Sequence, residues 1–334
     1  MLAPMEAKLV AELPDGPGWL FEPKWDGFRA LVFRDGDAVE ILSKSGKSLA
    51  RYFPEIVAMI ATVRDDEFML DGEIVLPIGD VLSFDALQAR LHPAASRIEK
   101  LSRTTPAQLM LFDCLRLGGK DLKPEPLRTR RAALEKFHGR HGGPSLLLSP
   151  AAEDPAQAKA WLAKSGGALD GIVAKRLDEE YRSGERAMLK LKQHRSADCV
   201  VGGFRRKADG QGVASLLLGL YDDEDKLDHV GFTSGIDAAA RIELLAKLEP
   251  LIEKPGFTGK APGGPSRWND GKASEWSPLR PELVVEVLYD QVTGNRFRHG
   301  TKLLRWRPDK APSQCRMDQL VRELKPAEIA TLAR

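Results

Sequence analysis

From residue 19 to residue 192 the chain alternates short apolar runs of strand length with segments whose apolar residues recur at helical spacing. Gly27 to Phe33 reads as a strand, and an Asp35-Gly36 turn leads into a second strand, Ala38 to Leu42, which is the pattern of a β-hairpin. Phe53 to Val63 has helical periodicity, with Pro54 in its first turn. Phe68 to Leu76 reads as a strand interrupted at Asp71-Gly72-Glu73, and Ser83 as the N-cap of a helix reaching Leu91. Leu109 to Leu115 is apolar apart from Asp113, as a buried strand would be. Amphipathic helices are expected from Leu127 to His138 and from Pro155 to Ser165, and strands from Leu169 to Lys175 and Ala187 to Lys192.

Beyond Lys192 the texture changes. Cys199 to Phe204, Ser215 to Tyr221 and Leu227 to Phe232 read as short strands broken by Gly- and Asp-rich turns. A helix from Ala238 to Leu248 follows, then a Pro/Gly-rich loop from Pro255 to Pro265 and strands from Leu283 to Tyr289 and Leu303 to Arg307. Five short strands with one helix fit an oligonucleotide-binding barrel, although periodicity alone leaves other small β-barrels open. A hinge at Gln193 to Ser196 divides the chain into domains 1–193 and 194–312, with a helical tail over 313–334. Three Asp-Gly steps, at Asp26, Asp71 and Asp170, follow apolar or strand-like text in contexts too different to be a repeat.

At 334 residues there is room for two domains with full cores. A content of 43% hydrophobic and 29% charged residues, with no long like-charge block and no low-complexity tract, is ordinary for a globular protein. The net charge is only +2, so a nucleic-acid surface has to be sought in local clusters. Cys114, Cys199 and Cys315 are isolated, which argues against a zinc site or disulfide framework and suits a reducing compartment. The N-terminal apolar run is too short for a signal peptide, and nothing approaches the roughly 18 apolar residues of a membrane span. A soluble, cytoplasmic protein is expected.

The hexapeptide Lys24-Trp25-Asp26-Gly27-Phe28-Arg29 carries the strongest chemistry. A lysine two residues before Asp-Gly, with an arginine beyond, is the pattern of a covalent nucleotidyl transferase. Such a reaction needs a deprotonated amine, although an unperturbed lysine has a pKa of about 10.4. It needs cations and metal to meet charge at phosphorus, and an apolar slot for the base. The chain supplies matching parts in order. Glu22 to Arg29 gives the lysine and an arginine, and Ser43-Lys44-Ser45-Gly46 a polar turn. Asp71-Gly72-Glu73 and the run Asp170 to Lys175 give carboxylates, and Phe112-Asp113 an aromatic ring. Lys190 and Lys192 share one strand face, because side chains at i and i+2 point the same way. Arg305 to Lys310 forms a basic cluster far downstream, within a stretch from Arg296 that holds six Lys/Arg against one Asp.

This ordered set resembles the nucleotidyltransferase motifs of ATP-dependent DNA ligases, above all the compact bacterial ligases of end-joining and excision repair, from about Leu20 to Lys310. The resemblance implies an α+β architecture: a nucleotidyltransferase (ATP-grasp-like) domain of twisted, mainly antiparallel sheets with flanking helices, followed by an OB-fold β-barrel. It implies Lys24 as the nucleophile that becomes adenylylated, Glu22 at the adenine edge, Phe112 stacked on the base, and Arg29 and Glu73 at the ribose and neighbouring phosphate. Lys175 joins the nucleotide site, Lys190 and Lys192 grip the α-phosphate, and Arg307, Asp309 and Lys310 close over the pyrophosphate in the first step only. Glu73 and Asp170 fall at metal positions for Mg²⁺ or Mn²⁺. Lys44, Arg205, Arg206, Lys207, Arg296 and Arg298 are the candidate DNA contacts, with Arg205 to Lys207 expected on a turn between barrel strands. Implied partners are ATP, nicked duplex DNA and a repair polymerase or end-binding protein, around a monomeric enzyme of the bacterial cytosol or nucleoid.

Three positions depart from the family pattern. Lys44 stands where arginine is usual, Asp170 where glutamate is commoner, and Met188 where an aromatic is usual. Each alters reach or contact and none removes a required charge. An RNA ligase or GTP-using capping enzyme shares the lysine chemistry, and a non-enzymatic nick- or end-binding scaffold is the alternative of another class. Retention of Lys24, Glu73 and Lys190 speaks against a scaffold, which needs no nucleophile.

Overall fold

The computed structural model describes residues 2–78, 81–164, 170–192, 195–263, 275–290 and 292–320. These fall into two compact units, one running to residue 192 and the other from residue 195 to residue 320.

The first unit is built on two sheets. Six strands form the larger one, in the order Leu146–Leu148, Gln108–Leu117, Glu67–Val75, Phe28–Asp35 and Ala38–Ser43, with Lys120–Asp121 paired to Gln108–Leu117. The smaller has four strands, Ala7–Val10, Met188–Lys192, Gly171–Arg176 and Trp19–Pro23. Pairing is antiparallel except where Ala7–Val10 meets Met188–Lys192 and Leu146–Leu148 meets Gln108–Leu117. The larger sheet is covered on both faces, which explains its near-continuous apolar strands. Ala30, Val32 and Leu70 face a core shared with helices Pro54–Ala61 and Leu127–His141. On the opposite side Leu31, Leu42 and Leu115 pack against Met5, Tyr181 and Met188, while Val75 and Met110 pack against Phe21, Trp25 and Ile172. The two sheets therefore face each other across an apolar layer.

Several expected elements need correction. Glu67–Val75 is one continuous strand: Asp71-Gly72-Glu73 does not interrupt it but is absorbed by irregular register at Met69/Leu70 and Asp71/Gly72. Helix Ala95–Thr104 and strands Ala7–Val10 and Leu146–Leu148 have no counterpart in the sequence pattern. Ser83 does cap its helix, its hydroxyl accepting from the Ala86 N–H at 3.2 Å.

In the second unit the strand order is Leu227–Thr233, Val213–Tyr221, Arg195–Arg206, Val284–Tyr289 and Lys302–Trp306, with Ser277–Pro278 on Arg195–Arg206. Its outer strands meet at Thr233 and Thr301, where the Thr233 hydroxyl donates to the Thr301 carbonyl at 2.9 Å and the Thr301 N–H to the Phe232 carbonyl at 3.0 Å. That contact closes the sheet into the barrel expected of an OB-fold. Leu218, Leu220, Val285 and Val287 fill the interior, and helix Ala240–Leu248 seals it with Leu244 and Leu248. Arg195–Arg206 runs through the segment expected to turn, so Arg205 and Arg206 are strand residues and only Lys207 opens the turn. Of the expected hinge, residues 193 and 194 lie outside the described residues, as does the tail from residue 321; before it come single 3₁₀ turns at Pro312–Gln314 and Met317–Gln319.

Candidate active site

The register of the smaller sheet gathers one row of side chains. Glu22 lies opposite Val173, and Val173 opposite Lys190, so these three share a face with Lys175 and Lys192 two residues along their strands. On the larger sheet Arg29 is opposite Glu73 and Glu73 opposite Met110, with Phe112 two residues on. A cavity of about 240 Å³ opens between these rows, lined by Glu22, Lys24, Arg29, Lys44, Glu73, Phe112, Lys175, Met188 and Lys190. Residues Pro4 to Ala7 supply a further wall that the sequence did not announce.

Lys24 is tied at both ends of the residue to one loop. Its N–H donates to the Gly171 carbonyl at 2.9 Å, and its ammonium donates to the Asp170 carboxylate. The other oxygen of Asp170 is 3.7 Å from the Lys192 ammonium. Burial, together with the ammonium groups of Lys24 and Lys192, holds the Lys190 amine below the ordinary lysine value.

The Asp-Gly steps that looked unrelated share a structural cause. A Cβ at Gly27 would lie 2.1 Å from the Ile74 carbonyl oxygen, one at Gly72 2.7 Å from that of Met110, and one at Gly171 1.9 Å from that of Leu191. Glycine permits each close backbone approach. At Gly27 it also lets the backbone N–H reach Glu73 Oε1 at 3.1 Å. Burial pushes the Glu73 carboxyl up to about 7, against the opposing pull of Arg29 and Lys24.

Arg29 is locked by partners far away in sequence. Its guanidinium donates to both oxygens of fully buried Asp71 at 2.5 and 2.6 Å, and to the Met5 carbonyl at 3.2 Å. Tyr181 donates to Asp71 at 2.6 Å and accepts from the Met5 N–H at 2.9 Å. Burial and the Asp71 charge raise the Tyr181 phenol above its ordinary value. The Phe112 ring carries two cations, the Arg29 guanidinium at 4.6 Å and the Lys175 ammonium at 4.7 Å from its centroid. Glu22 is only 2% exposed and is paired twice, with Lys175 at 2.7 Å and Arg131 at 3.2 Å.

Lys44 aside, the remaining expected residues belong to the second unit. Lys44, expected on DNA, lines the same cavity and pairs with Glu6 at 3.0 Å. Within the second unit, Asp198 accepts from Arg307 at 2.9 Å and from Lys310 at 2.7 Å, while Asp309 accepts from Arg307 at 2.9 Å. The Arg307 hydrogen bond draws the Asp309 carboxyl down to about 2. Arg206 pairs with Glu249 and Lys207 with Asp209, both at 3.0 Å, and Arg205 lies 5.9 Å from the Phe232 ring centroid. Arg296 donates to His229 Nδ1 at 3.1 Å, and Arg298 follows buried Phe297. Sequence reasoning missed Arg131, Tyr181 and Asp198. For Arg131 a signal existed, since Arg130 and Arg131 share the apolar face of their helix with Leu134 and Phe137.

Comparison with known proteins follows the same division. Residues 1–192 match the family model described as ATP dependent DNA ligase domain, and residues 209–310 match ATP dependent DNA ligase C terminal region. The chain is 48% identical over 330 residues to DNA ligase C1 of Mycolicibacterium smegmatis, covering 96% of this chain and 93% of that protein. It is 42% identical over 340 residues to DNA ligase C of Mycobacterium tuberculosis, covering 97% and 94% respectively. A solved Lig E DNA ligase aligns with a TM-score of 0.56 at 16% identity, over 92% of this chain and 100% of that one, which marks a shared fold.

Proposed function

The chain belongs to the ATP-dependent DNA ligases, and from that premise we propose that it seals 5′-phosphate/3′-hydroxyl nicks in duplex DNA with Lys24 as its nucleophile. The lysine amine attacks the α-phosphorus of ATP, forming a P–N bond as the P–O bond to pyrophosphate breaks. The AMP then passes to the 5′-phosphate of the nick, and attack by the 3′-hydroxyl forms the phosphodiester and releases AMP. The observation that carries this reading is the pairing of Lys24 with Asp170 beside a cavity that also gathers Glu22, Arg29, Glu73, Phe112, Lys175 and Lys190.

Each group has a task its surroundings suit. Asp170, bonded to the Lys24 ammonium, orients it. Lys190 and Lys192 gather positive charge where the α-phosphate would be attacked. Phe112 offers an aromatic surface for the base, and Glu22 an acceptor for its edge. Arg29 and Glu73 take the ribose and the adjoining phosphate. Arg307, Asp309 and Lys310 serve pyrophosphate departure. Arg205, Arg206, Lys207, Arg296 and Arg298 are proposed to contact the DNA backbone, and Lys44 a phosphate at the cavity mouth.

Among the described residues no group of three or more His, Cys, Asp or Glu could hold a metal alone. Glu73 and Asp170 would be the residues to hold Mg²⁺ or Mn²⁺, which would supply Lewis-acid stabilisation of phosphoryl charge. Among the described residues no helix is long and apolar enough to cross a membrane. A DNA substrate favours action at the bacterial nucleoid, in repair, alongside a polymerase or end-binding protein.

The test is incubation of pyrophosphate-stripped protein with labelled ATP or GTP and Mg²⁺ or Mn²⁺, for the wild type and Lys24→Ala. Protein-bound label from ATP on the wild type alone, stable to alkali and released by mild acid as a lysine phosphoramidate is, is expected. Label from GTP would move the reading to a capping-type transferase, and no label from either would leave a DNA-binding scaffold.

A further inference from the structure

Glu22 reaches the nucleotide cavity from strand Trp19–Pro23 with both carboxylate oxygens already engaged, and the two partners differ in kind. Lys175, at 2.7 Å from Oε2, is itself a cavity wall. Arg131, at 3.2 Å from Oε1, comes from helix Leu127–His141, which packs on the larger sheet. Its guanidinium is fixed in two further directions: Nε donates to Glu135 at 2.8 Å and NH2 to the Ser149 carbonyl at 2.9 Å. The Ser149 hydroxyl in turn accepts from the Trp25 indole N–H at 2.9 Å. One buried network thus pins the side chains on both sides of Lys24, Glu22 two residues before it and Trp25 one after.

We infer that Arg131 is the positioning residue for purine selection, acting through Glu22; the inference rests on the proposed contact between Glu22 and the adenine edge. A carboxylate accepts hydrogen bonds and donates none, so toward the cavity it suits the 6-amino group of adenine and repels the 6-oxo group of guanine. That discrimination requires the carboxylate to keep one orientation. A carboxylate held by Lys175 alone can rotate about its Cγ–Cδ bond or swing its freed oxygen away from the base; held from both sides it cannot. The Arg131 fork, anchored on Ser149 and Glu135, supplies the second hold, and a planar guanidinium does so better than an ammonium. A site built around one hydrogen-bonding pattern rejects its mismatch far more strongly than a shape-only site does.

The experiment compares ATP, GTP and purine riboside triphosphate, which lacks any 6-substituent, as donors for the lysyl-nucleotide adduct. It uses the stripped wild type, Arg131→Met, Arg131→Lys and Glu22→Gln, with melting curves to confirm folding. We expect Arg131→Met to narrow the ATP:GTP ratio of kcat/KM by at least about tenfold, and Arg131→Lys to restore part of it. Purine riboside triphosphate should lose ground to ATP in the wild type and regain it in Arg131→Met. If Arg131→Met slows all three donors equally, Arg131 is merely structural and the inference fails. Should Arg131→Met not fold, Arg131→Lys decides alone, an unchanged ratio overturning the inference. A wild-type ratio that also survives Glu22→Gln would instead remove the proposed adenine contact itself, whereas a ratio lost in Glu22→Gln but kept in both Arg131 variants would overturn only the role of Arg131.

Discussion

Asp71 and His229 are both polar and both buried, yet the fold treats them differently. Asp71 has no exposed surface and is compensated by two Arg29 hydrogen bonds and the Tyr181 hydroxyl. His229 is 5% exposed, meets the Phe257 ring edge-to-face at 5.3 Å and has only Arg296, at 3.1 Å, on its Nδ1, while its Nε2 has no partner. Burial, with the Arg296 and Arg205 charges nearby, lowers its imidazole to about 4 from an ordinary 6.5. The folded state therefore binds fewer protons than the unfolded chain between pH 6.5 and 4. Stability rises with pH across that window, so the contribution is complete above pH 6.5 and lost as the pH falls toward 4. Its size is on the order of 3 kcal/mol. Urea unfolding at pH 7, 5.5 and 4 should show the wild type losing about that much more than His229→Leu. Parallel losses in the two proteins would mean that His229 protonates freely in the fold.

At the scale of elements, the site depends on strands approaching more closely than side chains allow. Gly171→Ala would set a Cβ 1.9 Å from the Leu191 carbonyl oxygen, at a residue whose φ of +149° already disfavours a side chain, and Gly27→Ala would set one 2.1 Å from that of Ile74. Either substitution must separate strands that hold Lys24, and a loss of more than about 3 kcal/mol is expected, with lysyl-AMP formation lost in parallel. Gly143→Ala, with nothing within 4 Å, is the control and should stay within about 0.5 kcal/mol. Urea midpoints and a single-turnover adenylylation assay would decide. The sequence showed these elements unevenly, for a physical reason. Hairpin Phe28–Asp35 with Ala38–Ser43 was legible because its turn and alternation are local. Asp71-Gly72-Glu73 read as a break because Asp and Gly are usual turn residues; the partners that make Asp71 acceptable in a strand lie 42 and 110 positions away. Ala7–Val10 was invisible for a similar reason, since it exists by parallel pairing with Met188–Lys192. Helix Ala95–Thr104 begins without a side-chain cap, so no start signal marks it.

Across the whole molecule, what the sequence made legible was a set of side chains that the structure gathers around one cavity, Lys24, Glu22, Glu73, Phe112 and Lys190 among them, because the proposed reaction type would fix residue type. The groups that hold them stayed hidden, since many residue types can position a side chain and their sequence separation is unconstrained. Asp198 is such a case in the second unit. One carboxylate accepts from both Arg307 and Lys310, at 2.9 and 2.7 Å, and a second, Asp309, also engages Arg307, at 2.9 Å. The four side chains together are charge-neutral, so Arg307 and Lys310 stand as a held pair and not as a diffuse positive patch. The role proposed for this pair is to meet departing pyrophosphate. If it serves the first step only, the two halves of the reaction separate cleanly under mutation. Lys310→Ala should slow lysyl-AMP formation by about ten- to a hundredfold, the loss expected for one charged hydrogen bond of about 1.5–3 kcal/mol. The same variant, given a nick that already carries AMP on its 5′-phosphate, should seal it at close to the wild-type rate. Rapid-quench measurement of both steps tests this, and an equal loss in both would show that Lys310 holds DNA or the barrel itself, in which case the cluster around Asp198 belongs to the duplex-binding surface and the division of labour between the steps lies elsewhere.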